Sequence, residues 1–309
     1  LAKTHKLALA EDTGVFHFKK MTEAVVAPKE MVTVGEGGRV HGAFGALVER
    51  CLEVVATSGP SFTDCLEFED GKLMFNNSAA MQAVTWELLL RTVGIEKLTR
   101  LVEESSLIGI VNWSQMGGVP GIWKGLREEI LPKVSKARER SVFIDLADPV
   151  KRTPADIETG LGDLAALNRV IPVTLGMNLS EAERIDAACG AGGFGKGRTG
   201  EDVRAAAIAM REKLGLACVV IHPREGAAAA TREGESAWFD GPLTQKPLIS
   251  TGAGDHFNAG FAIARTLGLG LGESLAAGTA VSGAYVRDGE SPTRARLVAF
   301  LRELPAPIY

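Results

Sequence analysis

The 309-residue chain is poor in the features that mark several common functions. Its four cysteines, Cys51, Cys65, Cys189 and Cys218, lie far apart and make no Cys-x-x-Cys pair. That spacing argues against a zinc knuckle and a disulfide framework and leaves buried free thiols as the expectation. The five histidines, His5, His17, His41, His222 and His256, show no His-Glu-x-x-His spacing, so nothing predicts a catalytic zinc. No Gly-x-Ser-x-Gly elbow supports a serine hydrolase. Positive charge is in deficit: 34 Lys and Arg against 38 Asp and Glu give a net charge of -4, without the basic footprint of a nucleic-acid partner. No run approaches the roughly 20 apolar residues of a membrane span, and the N-terminus lacks a signal-peptide pattern. The expectation is a cytoplasmic protein with neither membrane nor nucleic-acid partner. The chain opens at Leu1 rather than Met, which leaves open what precedes it.

What is present is enough apolar sequence, 46% of residues, for one large core, and a single domain over 1–309 with a small appendage is expected. From Leu107 onward short apolar runs alternate with longer amphipathic stretches. LIGIVNW (107–113), VFIDL (142–146), IPVTLG (171–176) and ACVVIH (217–222) read as strands. The segments 121–136, 154–168, 180–189 and 201–214 carry apolar residues at helical spacing. Ser180 with Glu183 makes a capping-box pattern at the start of the third. This alternation predicts an α/β fold with a mostly parallel sheet. Two hairpins interrupt it, 65–75 with Asp70-Gly71 at its turn and 227–239 with Glu233-Gly234. The second extends the sheet edge; the first, with CLEVVAT (51–57), suggests a small β lid within 51–78. A lid matters because group transfer must exclude water as a rival acceptor. There is no internal repeat and no low-complexity linker.

The chemistry concentrates in LISTGAGDHFNAGFAIARTLG (248–268), where a small-residue turn enters an amphipathic helix. The backbone N–H groups of Gly252, Ala253 and Gly254 can converge on an anion at the helix N-terminus, where the dipole adds positive potential. Such a pocket stabilises charge developing on a transferring phosphoryl group. Asp255 then stands where a general base would take the proton of an attacking hydroxyl. Taken as an isolated Gly-x-Gly-Asp, the same residues would be a tight turn and a helix cap.

The run Thr251-Gly-Ala-Gly-Asp255 followed by Phe257-Asn-Ala-Gly-Phe261 resembles the C-terminal signature of the ribokinase and PfkB family of carbohydrate kinases. Asn178-Leu-Ser-Glu181 resembles the family's Asn-x-x-Glu motif. The resemblance implies a ribokinase-like three-layer α/β/α sandwich, ATP and magnesium, and a small sugar-like substrate phosphorylated at a hydroxyl. It implies Asn178 and Glu181 as magnesium neighbours acting mostly through water, and nucleotide contacts from Thr251, Asn258, Thr279 and the loop His222–Gly226. His222 is equally readable as a loop residue without a role, and Thr279, with Ser282, as close helix packing. Looser similarity lies in VTVGEGGRVHG (32–42), with Gly35, Gly37 and Gly38. Because α/β sheets bind ligands beyond the carboxyl ends of their strands, Asn112 and Asp145 are eligible for the acceptor. The stretch DLADPVKR (145–152) is similar to one in family members that bind acidic or phosphorylated sugars, which implies Lys151 or Arg152 as the basic contact, though both are also readable as solvated charges at a helix start. By analogy, lid strands that pair between subunits imply a homodimer.

Some departures limit the carry-over. The family's Gly-Gly-Asn near the sugar has no copy, so substrate contacts are open. Ile249 stands where many members carry Asp, so activation by a monovalent cation is not implied. Gly190-Ala-Gly-Gly-Phe-Gly195-Lys196 fits a phosphate-loop pattern, but Gly197 replaces its Ser or Thr and the loop follows a helix, so it reads as a connector. A nucleoside or vitamin-precursor kinase, or a catalytically idle sugar- or nucleotide-binding regulator, are the alternatives to a sugar kinase.

Overall fold

A computed structural model describes residues 79–194 and 197–306, with strand segments and a few flanking residues between 15 and 77. The sequence predicts one domain; the described residues form two compact units, the first running through Arg140 and the second beginning at Ser141.

In the first unit, β1 (Val15–Lys19), β2 (Glu30–Thr33), β5 (Glu53–Ala56) and β8 (Ser105–Ile110) pair in the order β8-β1-β2-β5. β1 runs antiparallel to both neighbours, with Val15 opposite Ile110 and Val32, and β2 runs parallel to β5. Two small hairpins accompany them: β3 (Gly35–Glu36) with β4 (Arg39–Val40), and β6 (Phe62–Phe68) with β7 (Gly71–Asn77). Of the segments expected in a lid, β5 therefore belongs to the larger sheet and β6–β7 form a hairpin apart. Gly37, Gly38 and His41 of the loosely similar stretch lie outside the described residues. Among the described residues, a single helical turn at Ala79–Gln82 precedes the longer helices α1 (Trp86–Thr92), α2 (Ile95–Glu104) and α3 (Val119–Gly125). The helix expected over 121–136 starts two residues early, widens into a π turn at Leu126–Ile130 and tightens to 3-10 at Leu131–Lys133. Pro132 explains the break, since it has no N–H to continue the ladder.

The second unit follows the predicted alternation closely. β9 (Ser141–Asp145), β10 (Val173–Met177) and β11 (Cys218–Ile221) are parallel neighbours, and β12 (Gly226–Thr231) and β13 (Ser236–Asp240) add the expected antiparallel hairpin. Gly234 turns it at φ +88°. α4 (Pro154–Asn168), α5 (Leu179–Cys189) and α6 (Gly200–Leu214) connect the strands; α7 (Ala253–Thr266), α8 (Leu271–Asp288) and α9 (Arg294–Arg302) follow the hairpin. Every residue of β11 and β12 is buried, so helices cover both faces. Ala227–Ala230 have almost no side chain, which lets both α6 and α8 pack on β12. α7 and α8 meet where neither carries bulk: a Cβ on Gly260 would lie 2.9 Å from Ala277 O and from Gly278 Cα. No helix among the described residues is long and apolar enough to cross a membrane.

One local prediction is corrected. Asn178, not Ser180, caps α5: its side chain accepts the Glu181 N–H at 3.0 Å, and the Glu181 carboxylate accepts the Asn178 N–H at 2.9 Å. Glu183 instead pairs with Arg198 at 2.5 Å. Both pairs have the same spacing; the strand β10 ends at Met177, and the first side chain beyond it takes the cap.

Candidate active site

The second unit gathers most of the predicted residues at the carboxyl ends of β9 and β10 and the start of α7. Asp145 is the last residue of β9. One of its oxygens accepts the Ala147 N–H at 2.7 Å and the other accepts Asn258 Nδ2 at 2.6 Å. Ala147 holds φ +55° to make that contact, a left-handed conformation costly for a residue with a Cβ. Asn258 reaches Asp145 from the buried face of α7, and Gly176 of β10 leaves it room: a Cβ there would come within 3.0 Å of Asn258 Oδ1 and 2.6 Å of the Phe143 ring. Asn258 Oδ1 is buried without a hydrogen-bond partner among the described residues.

Negative charge accumulates around this contact. Burial, then the Asp255 charge, pushes the Asp145 carboxyl up to about 6, against the opposing pull of the Ala147 and Asn258 donors. Glu181, only 8% exposed, is pushed up to about 8, by burial first and then by Asp145, Asp148 and Asp255. Asp148 was not singled out in the sequence; Asp-Pro at 148–149 is a turn signal that could have drawn attention to it. It caps the turn Pro149–Lys151 through a 3.0 Å bond to Val150 N–H. Neither Asp145 nor Glu181 has a basic partner in an ion pair among the described residues.

The Gly-Ala-Gly turn enters a helix as predicted. Gly252 caps α7 at φ +86°, and a Cβ on it would meet Tyr285 Oη at 3.1 Å. Ala253 N–H makes a long 3.2 Å bond to Ser250 O, while the Gly254 N–H has no backbone acceptor among the described hydrogen bonds. Asp255 is exposed in the first turn of α7, and its charge is felt by Asp145, Glu181 and Tyr285. Thr251 is exposed, and its carbonyl accepts Tyr285 O–H at 2.8 Å.

His222 follows β11 and packs its ring on Phe257 with centroids 4.6 Å apart; its Cε1 is 3.4 Å from where a Gly254 Cβ would stand. Burial holds it down at about 4, so the ring is neutral at physiological pH, and Nε2 has no hydrogen-bond partner among the described residues. Other predicted residues have evident structural duties. A side chain on Gly226 would collide with Phe239 O at 2.2 Å and the Trp238 ring at 2.7 Å, so glycine is needed for the β12–β13 approach. Thr279 is buried with its hydroxyl on Leu275 O at 2.7 Å. Arg152 closes the Pro149–Lys151 turn with its N–H on Pro149 O. Asn112 belongs to the first unit, where it adopts φ +62° two residues beyond β8. The loop with the phosphate-loop pattern follows α5, whose cap Gly190 turns at φ +63°; Gly195 and Lys196 lie outside the described residues.

Comparison with known proteins bears on the family and the fold. The family model described as prokaryotic ketohexokinase matches residues 24–304. A ketohexokinase from Haloferax volcanii is 34% identical over 249 residues, 81% of this chain; the chain spans 64% of that relative's length. Among solved structures, an Arabidopsis thaliana ribokinase complexed with ribose and ATP superposes with TM-score 0.63 at 17% identity, covering 93% of each chain. A PfkB protein from Polaromonas sp. JS666 gives TM-score 0.59 at 19% identity, covering 86% of this chain and 81% of the other. The ribokinase-like fold expected from the sequence is thereby established.

Proposed function

Because the chain belongs to the prokaryotic ketohexokinase family, among the PfkB carbohydrate kinases, we propose that it moves the terminal phosphoryl group of ATP onto a hydroxyl of a six-carbon keto sugar. The observation that carries this reading is the exposed Asp255 in the first turn of α7, beside a Gly254 amide with no backbone acceptor among the described residues and within electrostatic reach of Asp145 and Glu181. Asp255 accepts the proton of the attacking hydroxyl, and the helix N-terminus stabilises charge on the transferring group. Asn258 holds Asp145 in place, and His222, kept neutral, adds no charge beside the turn.

Magnesium suits the residues present. Glu181 is a buried carboxylate crowded by three others, held by one backbone N–H, and a nearby cation offsets the cost of its ionisation. Asn178 and Glu181 would hold the ion, mainly through water. Few protein donors are needed, because magnesium keeps most of its waters and substrate phosphates. Bound there, the ion supplies charge neutralisation on the phosphates.

The test is ATP consumption by the purified protein across ketohexoses, aldohexoses, pentoses, sugar acids, nucleosides and an acceptor-free control. Turnover greatest with a ketohexose supports the proposal. Turnover confined to nucleosides would replace the acceptor class, and ligand-induced thermal shifts without any turnover would make the protein a binding module.

A further inference from the structure

We propose that Tyr285 and His256 are positioning residues for phosphoryl transfer, holding from behind the two peptide carbonyls of the Gly252 turn. The inference rests on the kinase reading above and concerns how its anion pocket is kept in shape. A trans peptide is planar, with its C=O and the following N–H pointing in opposite directions, so a carbonyl gripped on one side fixes the direction of the amide on the other. Tyr285 O–H donates to Thr251 O at 2.8 Å and so sets the Gly252 N–H. Gly252 O receives the His256 side chain through Nδ1 at 2.7 Å and the His256 backbone N–H at 3.1 Å, which sets the Ala253 N–H.

The chemistry of the partners fixes the imidazole. Gly252 O can only accept, so Nδ1 carries the proton, and Nε2 accepts from Ser291 Oγ at 2.8 Å. The His256 and Tyr285 rings stack with centroids 3.6 Å apart and 12° between planes. His256 stands on α7 and Tyr285 on α8, so the glycine contact between these helices sets the spacing of the clamp. Gly252 needs such a support. At φ +86° it has no side chain to restrict it, and glycine is the residue with most freedom to lose. Burial keeps His256 below the usual histidine range, which agrees with the neutral form this geometry requires.

The test compares wild type with Tyr285→Phe and His256→Phe, each of which keeps an aromatic ring in the stack while removing its polar grip. Because small misplacements of a catalytic array are costly, each is expected to lower kcat about tenfold with KM for ATP unchanged within about twofold. The double variant should lose less than the product of the two, since both act on one turn. ADP with aluminium fluoride gives a second readout, in which the variants bind the transition-state mimic about tenfold more weakly than wild type but bind ADP alone equally. Single variants with wild-type kcat and mimic affinity overturn the clamp while leaving the kinase reading intact. Losses that appear equally in KM and in ADP affinity also overturn it, because they would mark general damage to the site. A wild-type protein that turns over no ATP overturns both.

Discussion

Replacing Glu181 with Gln is expected to stabilise the protein at neutral and alkaline pH when no divalent cation is present. Gln can still accept the Asn178 N–H, so the capping box survives and the change is confined to charge. Burial and the carboxylates of Asp145, Asp148 and Asp255 push Glu181 up to about 8 from an ordinary 4.5. Below pH 4.5 both folded and unfolded chains are protonated at this position, and the two proteins should be about equally stable. As pH rises toward 8 the unfolded chain ionises while the folded one resists, so the unfolded state binds fewer protons and wild-type stability falls. At about 1.4 kcal/mol per pH unit over that window, the difference reaches on the order of 3–5 kcal/mol and then levels off. Asp145, pushed up to about 6, adds a fall of the same direction at lower pH in both proteins. Urea unfolding from pH 4 to 9 measures the effect. Magnesium should restore wild-type stability at pH 8 and release protons on binding, detectable by calorimetry in buffers of different ionisation enthalpy. Parallel stability–pH curves for the two proteins, or a variant that is weaker throughout, would refute the account of Glu181 as a charge strained by its surroundings.

Asp255→Asn should lower kcat by roughly 10²- to 10⁴-fold, as loss of a general base does, with ATP affinity largely kept; steady-state kinetics with the best acceptor checks it. Gly260→Ala should destabilise the second unit by about 1–3 kcal/mol, because the new Cβ meets backbone at 2.9 Å rather than a yielding side chain; thermal unfolding reads this directly. Ala147→Gly should stabilise by roughly 0.5–1 kcal/mol, since relief of the left-handed strain at φ +55° exceeds the entropy that glycine adds to the unfolded chain. Denaturant melts of that variant should show the midpoint rise without a change in slope.

The alternation of strand and helix was legible because its signals are local. β9, β10 and β11 each fall within one residue of an apolar run at one or both ends, and α4 and α6 begin where Thr153 and Thr199 supply capping boxes. The turn at 252–255 was legible for the same reason, since small residues followed by an acid at a helix start leave few conformations. The cap of α5 was misread because Asn178-x-x-Glu181 and Ser180-x-x-Glu183 are equivalent patterns, and only the place where β10 ends selects between them. Gly226 and Thr279 show what a residue type alone leaves out: besides suiting a ligand, each has a packing duty, because neighbours would collide with a Cβ at 226 and Leu275 O accepts the Thr279 hydroxyl.

Taken alone, the order of residues determined the strand–helix alternation of the second unit, the glycine turn and its carboxylate, and the membership of a kinase family that those motifs carry. Tertiary structure decided the rest. Asp145, Asn258, Glu181 and Asp148 are separated by as many as 113 positions, the span of the Asn258–Asp145 bond, and nothing in their local spacing says that they share one field of charge. Likewise the grip of Tyr285 on a carbonyl 34 positions away depends on two glycines letting α7 and α8 touch. Long-range pairings of this kind arise from packing, which joins residues by shape and burial, whereas a sequence pattern reports only what neighbours along the chain prefer.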